Sequence, residues 1–132
     1  MILVSTSRKP LPEVRTFSKD LAFALGGRYA PRGKTGMYDI TDAEATVLLV
    51  SRQGGRFCID VYAGGTHASG IAFSTFRVEQ REGVLAKGLR TGNQTVYESL
   101  QRYVDIIPSD EGAATLSFDG AQKRRYVLEL EE

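Results

Sequence analysis

Cys58 and His67 are the only cysteine and the only histidine in the 132 residues, and there is no tryptophan. A lone cysteine forms no intrachain disulfide, and one cysteine with one histidine cannot build a four-ligand zinc site. Neither a metal nor a cofactor is therefore expected. The scarcity of cysteine fits a reducing compartment, and the expected location is the cytoplasm. Long apolar runs are missing as well. Stretches such as Val47 to Val50 fall far short of the roughly 20 residues that cross a bilayer. At the amino terminus Ser5, Arg8 and Lys9 follow Val4 too soon for the apolar core of about 7 to 15 residues that a signal peptide needs. The chain reads as mature, soluble protein with no membrane partner.

A large excess of either charge is also lacking. Seventeen basic and sixteen acidic residues leave a net +1, which alone argues against a simple polyanion binder. The distribution along the chain is uneven. Residues 1–36 hold seven basic groups against Glu13 and Asp20, a balance of +5, whereas residues 103–132 come to −4. Such asymmetry gives one electropositive face on a near-neutral protein if the early cations gather in space. The plain alternative is a solvated surface on which the signs mix. With 42% apolar residues, a chain this long buries a core of its own as one domain.

The order of elements follows from periodicity. Ile2 to Thr6 is a β-branched, apolar run read as a strand. After Ser7-Arg8-Lys9-Pro10, the apolar residues Val14, Phe17, Leu21 and Leu25 recur at helical spacing, which predicts a helix from about Leu11 to Leu25 stopped by Gly26-Gly27. Its polar face carries Arg15 and Lys19. A shorter helix is expected over Met37 to Ala45. Thr46–Ser51 and Phe57–Tyr62 are predicted to pair as an antiparallel hairpin about Gln53-Gly54-Gly55. The turn formers from Gly64 to Gly70 read as a joint. Beyond it the pattern predicts a strand at about Ile71–Glu79, an ambiguous stretch from Gly83 to Arg90, a helix over Gln94–Ile106 ended by Pro108, and a last hairpin. The strands of that hairpin, near Thr115–Phe118 and Arg125–Leu130, turn at Asp119-Gly120.

Sliding the sequence against itself by 69 positions places Ile2–Arg8 on Ile71–Arg77 with four identities in seven. The same offset places Ala45-Thr46-Val47 on Ala114-Thr115-Leu116, and Arg56–Val61 on Arg125–Leu130 with basic, aromatic, aliphatic and acidic positions in the same order. The shared offset reads as an internal repeat. Each half becomes a strand, a helix and a hairpin. Neither half alone covers both faces of a small sheet, so the expected architecture is one α/β domain over residues 1–132, built of two tandem pseudo-symmetric halves at about 1–66 and 70–132.

The supply of catalytic groups is thin. Cys58 lies in a strand pattern where a small buried thiol is the usual occupant, and His67 is expected in a loop without an evident partner. No Walker or dinucleotide glycine pattern occurs. Asp39, Asp42 and Glu44 lie near the start of a short helix, where carboxylates suit the dipole. These observations point away from an enzyme, although a nucleotide-handling enzyme that uses the Ser5 to Lys9 loop is a third alternative.

Ser5-Thr6-Ser7-Arg8-Lys9-Pro10 says more. It leaves a strand and enters a helix amino terminus, where N–H groups, hydroxyls and two cations converge on a phosphate, or else form an ordinary solvated turn. Arg28, Tyr29, Arg32 and Lys34 make a basic, aromatic segment of the kind that stacks an unpaired base while holding its backbone. Arg77, Arg81, Lys87 and Arg90 repeat the basic bias in the second half. Lys123-Arg124-Arg125 is a further basic stretch in a hairpin turn.

The opening Ile2-Leu3-Val4-Ser5-Thr6-Ser7-Arg8-Lys9-Pro10, with Arg15-Thr16-Phe17 and Leu21, then Tyr29 and Arg32-Gly33-Lys34, resembles the start of the Brix family of ribosome-biogenesis proteins. With the second half the likeness extends over most of the chain, its sharpest residues lying within the first 35. The resemblance implies two tandem halves, each similar to the anticodon-binding domain of class II aminoacyl-tRNA synthetases. It also implies a non-catalytic, RNA-binding role in pre-rRNA processing and ribosomal subunit assembly. Eukaryotic members commonly carry basic tails, and the ending Glu131-Glu132 makes this sequence look like the minimal, archaeal-type version. The expected partners are ribosomal or precursor rRNA and other ribosome-assembly proteins. The alternative is a protein-interaction module with incidental RNA contact. The expected RNA-contacting residues are Ser5, Ser7, Arg8, Lys9, Arg15, Arg28, Arg32, Lys34, Arg77, Lys87 and Arg90, with Arg8, Lys9, Arg15, Arg32 and Lys34 foremost.

Overall fold

The structure is a computed structural model that describes residues 2–131. Among these residues nine strands form one mixed sheet with three helices packed on it, so the protein is α/β and mostly sheet. Strand β1 (Ile2–Thr6) leads into helix α1 (Pro12–Leu25), which returns to a two-residue strand, β2 (Arg28–Tyr29), parallel to β1. Helix α2 (Met37–Thr41) precedes the hairpin β3 (Thr46–Gln53) and β4 (Arg56–Ala63). β3 also runs parallel to β1, with Ile2 opposite Thr46 and Thr6 opposite Val50. Strand β5 spans Thr66–Gln80, and β6 (Leu89–Thr91), α3 (Gln94–Leu100) and β7 (Ile106–Pro108) follow it. The chain closes with the hairpin β8 (Thr115–Asp119) and β9 (Arg124–Leu130). Across the sheet the order is β2-β1-β3-β4-β5-β9-β8-β6-β7.

Local chemistry sets the helix ends. Pro12 occupies the first turn of α1, where no N–H is required, and Gly26 closes the helix at φ +67°, a conformation cheap only for glycine. Helix α2 is shorter than its pattern predicts. Thr41 Oγ1 bonds back to the Met37 carbonyl 3.0 Å away, and the chain leaves the helix at Asp42. Helix α3 starts on Asn93, whose side chain accepts from Val96 N at 3.0 Å, but it ends at Leu100 rather than Ile106. The β-branched pair Ile106-Ile107 instead pairs in parallel with β6, and Pro108 ends an edge strand rather than a helix.

The segment from Gly64 to Gly70 is no joint. Gly64 and Gly65 make a tight turn at φ +60° and +83°, and Thr66 already belongs to the longest strand. That strand, β5, pairs with β4 through residues 66–73 and with β9 through residues 73–80, and its register shifts between Phe73 and Thr75. The offset of 69 therefore superposes β3–β4 on β8–β9 but sets β1, near one margin of the sheet, on a segment of this central strand. The strand placed like β1 on the far side is β6. It lies beside β7 and β8 as β1 lies beside β2 and β3, although β6 is antiparallel to β8. The turn between β8 and β9 spans residues 120–123: it contains Gly120 as expected but leaves Asp119 in β8, with Gln122 and Lys123 in the left-handed region.

Alternation along the strands divides the core in two. Val4, Leu48, Val50, Ile59, Val61, Leu116, Phe118 and Leu128 face α1 and α3, whereas Leu3, Val47 and Leu49 meet Ile40 of α2 on the other side. The centre of the larger core is aromatic. The Phe17 ring of α1 lies 5.6 Å from Phe73, 4.9 Å from Phe76, 5.4 Å from Phe118 and 5.6 Å from Tyr126. One helical residue thus touches β5 on both sides of its bulge, together with β8 and β9. Phe17→Ala is expected to cost about 3–5 kcal/mol in a urea unfolding curve, whereas Phe23→Ala, on the exposed side of α1, is expected to cost less than about 1 kcal/mol.

Candidate nucleic-acid interface

The end of β1 and the turn of the β3–β4 hairpin lie side by side because β1 and β3 are parallel and in register at Thr6 and Val50. The loop into α1 closes over this corner and leaves an open groove of about 290 Å³, lined by Ser7, Arg8, Lys9, Pro10, Arg52 and Gly54 among others. Lys9 holds a left-handed backbone at φ +52°, unusual for a residue with a side chain. The amino terminus of α1 opens at the same place, and Leu11 gives it no side-chain cap. Arg52 Nη1 reaches Glu13 at 3.3 Å, its Nε donates to the Gly54 carbonyl at 3.1 Å, and its guanidinium lies 5.4 Å from the Phe57 ring centre. The hairpin thereby holds a third cation against the groove that Arg8 and Lys9 line. Sequence reasoning missed Arg52, although its position next to Gly54-Gly55 is the usable signal.

One turn further along α1, Arg15 and Lys19 share a face beside β2. Lys19 Nζ stands 5.7 Å from the centre of the Tyr29 ring. Burial raises the Tyr29 phenol above its ordinary value, and the Arg15 charge opposes that rise. The basic, aromatic segment expected from Arg28, Tyr29, Arg32 and Lys34 is not what gathers here: the cations beside Tyr29 come from α1. Arg28 itself is engaged by Glu44 at 3.6 Å.

Several expected contact residues turn inward or are neutralised. Ser5 is fully buried and donates to the Ala30 carbonyl at 2.7 Å, pinning the chain after β2 against β1. Arg32 is 8% exposed, with Nε on the Thr35 carbonyl at 2.7 Å and Nη1 on the Thr6 carbonyl at 3.2 Å, so it braces its own loop rather than standing open like Arg8. Arg77 lies between Glu79 at 2.7 Å and Glu129 at 3.2 Å. The Arg90 side chain is 11% exposed and is bound to Asp119 at 3.0 Å and Glu111 at 3.8 Å. Lys87 is exposed and unpaired among the described residues, but it lies in the second half of the chain. Arg8, Lys9, Arg15 and Lys34 are exposed, and no carboxylate among the described residues lies within 4.0 Å of them. Ser7 is half-buried and lines the groove.

Two internal carboxylates fix this arrangement, and both were invisible in the sequence. Asp20 of α1, 2% exposed, accepts from Arg124 Nε at 2.8 Å, from Ala121 N at 3.1 Å and from the Tyr126 hydroxyl. Burial and then the bond to Asp20 push the Tyr126 phenol far above its ordinary range. A Cβ at Gly120 would lie 2.7 Å from Asp20 Cγ, which explains the glycine there. Asp119 accepts from Arg90, from Arg125 at 3.1 Å and from Ala86 N at 2.9 Å. Arg124 and Arg125 are thus committed inside the fold.

Cys58 is half-buried rather than in the core, and burial raises its thiol. His67 lies on β5 rather than in a loop and does have a partner, since its Nε2 is 3.0 Å from Asp60 Oδ1 across the β4–β5 pair. No group of three or more His, Cys, Asp or Glu residues among those described is placed to hold a metal ion. No helix among them is long and apolar enough to cross a membrane.

With this geometry in place, the chain can be set beside known proteins. No protein-family model matches it. A curated relative, described as a probable Brix domain-containing ribosomal biogenesis protein from Methanothermobacter thermautotrophicus strain Delta H, is 40% identical over 56 residues, which is 42% of this chain and 36% of the relative. The match therefore spans about a third of that relative's length. Among solved structures the fold is similar to Mil, an archaeal Imp4-like protein, with a TM-score of 0.74 and 25% identity over 100% of this chain and 97% of that one. It is also similar to a probable ribosomal biogenesis protein from Aeropyrum pernix K1, with a TM-score of 0.61 and 18% identity over 99% and 95% of the two chains; that likeness is one of fold. Fold and partial sequence match together set the chain beside Brix-type ribosomal biogenesis proteins, as what it is similar to. The Brix resemblance read in the opening residues is borne out.

The Asp119 cluster makes a testable claim about acid stability. Burial on its own raises the carboxyl, but the bonds from Arg90, Ala86 N and Arg125 outweigh it and hold Asp119 below the usual carboxylate value. Because the folded value is depressed, the contribution is complete above the unfolded value near ~3.9 and disappears as pH falls through the lower, folded one. Urea midpoints measured between neutral pH and pH ~3 are expected to drop at the acid end. Asp119→Asn lowers the midpoint at neutral pH and makes that acid drop smaller.

Proposed function

We propose that the chain binds ribosomal or precursor rRNA as a non-catalytic factor in pre-rRNA processing and ribosomal subunit assembly. A single-stranded or looped backbone lies along a cationic strip that runs from the Ser7–Lys9 loop and Arg52 over Arg15 and Lys19 to Tyr29. One observation carries the reading. Of the seven basic residues before residue 37, only Arg28 has a carboxylate within 4.0 Å among the described residues, whereas six of the ten basic residues after it are paired. The early excess of positive charge is thus left for an external polyanion, whereas most of the later arginines, Arg52 through its pair with Glu13 included, already have a carboxylate partner.

The strip also holds what a flexible strand needs. Tyr29 offers a ring for stacking beside Lys19, and Arg8 and Lys9 set two cations at the opening of α1. The names of the relatives support a ribosome-assembly setting. The family resemblance adds that residues 1–132 form one Brix-like domain, with each half similar to an anticodon-binding domain of class II aminoacyl-tRNA synthetases. Other assembly proteins complete the partner set, because few phosphate contacts give an affinity that partners must reinforce.

Arg8→Ala, Lys9→Ala and Arg15→Ala combined are expected to weaken binding of a labelled rRNA fragment. The slope of log affinity against log salt flattens by about 2, at roughly 0.7 per phosphate contact in single strands. Filter binding across a salt series measures it, and an unchanged slope refutes this face. Arg32→Ala belongs to a different class. It is expected to lower the unfolding midpoint, because it removes bonds to the Thr6 and Thr35 carbonyls.

A further inference from the structure

On the opposite side of the Ser7 corner from the Arg8 groove lies a second groove of about 270 Å³, close to the lower end of the range for small-molecule sites, about 300 Å³. Its walls include Met37, Leu49 and Tyr62, which are apolar or aromatic, and Arg32, Gln53 and Asp60, which are polar. The arginine is the informative member. Arg32 is more than nine-tenths buried, and its Nε and Nη1 are satisfied by backbone carbonyls. Its Nη2 donates no hydrogen bond among the described residues, although the side chain lines the groove. That nitrogen is left to whatever fills the open groove, where an external acceptor can replace water.

Across the groove the chemistry is reversed. Asp60 is held by His67 Nε2 on Oδ1 at 3.0 Å, while Oδ2 accepts nothing among the described residues. This contact depends on Gly70, where a Cβ would lie 2.8 Å from Asp60 Oδ1 and 3.6 Å from His67 Nε2. The His67 ring meets Tyr62 edge-on at 5.3 Å, which steadies the ring that forms one wall. The site therefore presents a donor-only group, an acceptor-only group and an aromatic wall, and it shares Ser7 with the phosphate-facing groove.

We propose that this groove reads one unpaired guanine of the RNA strand whose backbone lies on Arg8 and Lys9. The inference rests on the RNA-binding reading above and specifies its sequence preference. Of the four bases, guanine has adjacent N1–H and N2–H₂ donors for a carboxylate and also O6 and N7 acceptors for a guanidinium. Uracil turns carbonyls toward Asp60 on both sides of its single N–H. Adenine sets a ring-nitrogen acceptor next to its amino group, and cytosine sets one next to its own. Each of these three therefore brings a lone pair up to the carboxylate. The base lies against Tyr62 with Leu49 and Met37 around it, in the manner of single-stranded RNA read by stacking and edge contacts.

The test is a fluorescence titration of the full chain with four labelled octamers, U8 and its variants carrying a single G, A or C at the fourth position. The wild type is expected to bind the guanine octamer roughly tenfold or more tightly than the others. Asp60→Asn is expected to abolish that preference while leaving U8 affinity unchanged, because the phosphate contacts are elsewhere. Arg8→Ala with Lys9→Ala is expected to weaken all four octamers by the same factor and to keep the preference. Equal wild-type affinity for the four octamers overturns the guanine subsite and leaves the RNA reading intact. No binding of any octamer or of the rRNA fragment overturns both. Thermal stabilisation by guanosine monophosphate alone, without octamer discrimination, assigns the groove to free nucleotide and overturns the proposal as stated.

Discussion

Helix α1 crosses the seam of the molecule, and the sheet depends on what it sets down there. Nine strands are joined in their middle by one strand, β5, whose first part pairs with β4 and whose second part pairs with β9 past a register shift. A sheet held only by that strand would flex at the bulge. Phe17 packs against rings from β5, β8 and β9, and one helical turn on Asp20 takes three hydrogen-bonding partners from the far hairpin. Apolar packing supplies most of the energy at this seam. The carboxylate fixes orientation, because a buried charge left without Arg124 and Tyr126 would be strongly destabilising.

The same helix carries the candidate interface. Its inward face is committed to the seam, and its outward face presents Arg15 and Lys19. Its first turn, together with Arg8, Lys9 and the Arg52 hairpin, borders the groove. The position of the cationic strip is therefore rigidly tied to the core. Internal pairing also explains how a chain of net +1 presents a basic surface: the second half uses its arginines on Asp20, Asp119, Glu111 and Glu129, whereas Asp39, Asp42 and Asp60 of the first half are not placed against its early cations.

Much of this was legible in the sequence because it is local. The 3.6-residue spacing of Val14, Phe17 and Leu21 with Gly26 behind it defined α1, and glycine turns between β-branched runs located both hairpins. The likeness of the first 35 residues to the Brix family was likewise a matter of contiguous residues. What stayed hidden is long-range. Asp20 looked like an ordinary charge on a helix, because the groups that bind it lie about a hundred positions away. Ser5, Arg32 and Arg90 have the composition of surface contacts, and only the register of strands distant in sequence shows that their polar atoms are bound inside. The glycine-rich stretch after residue 63 misled for the reverse reason. Glycines that serve one tight turn and one close approach to Asp60 look, in one dimension, like a linker.

The sheet ends in β2 and β7, of two and three residues, the second finishing at Pro108. A nine-stranded sheet with long free margins would be a template for fibrillar growth, since unpaired strand margins recruit further strands. Here the outermost strands are only two and three residues long, and the proline withholds a donor from any newcomer. Margins this short leave an intruding strand little to zip onto, so the sheet closes its own growth without a barrel.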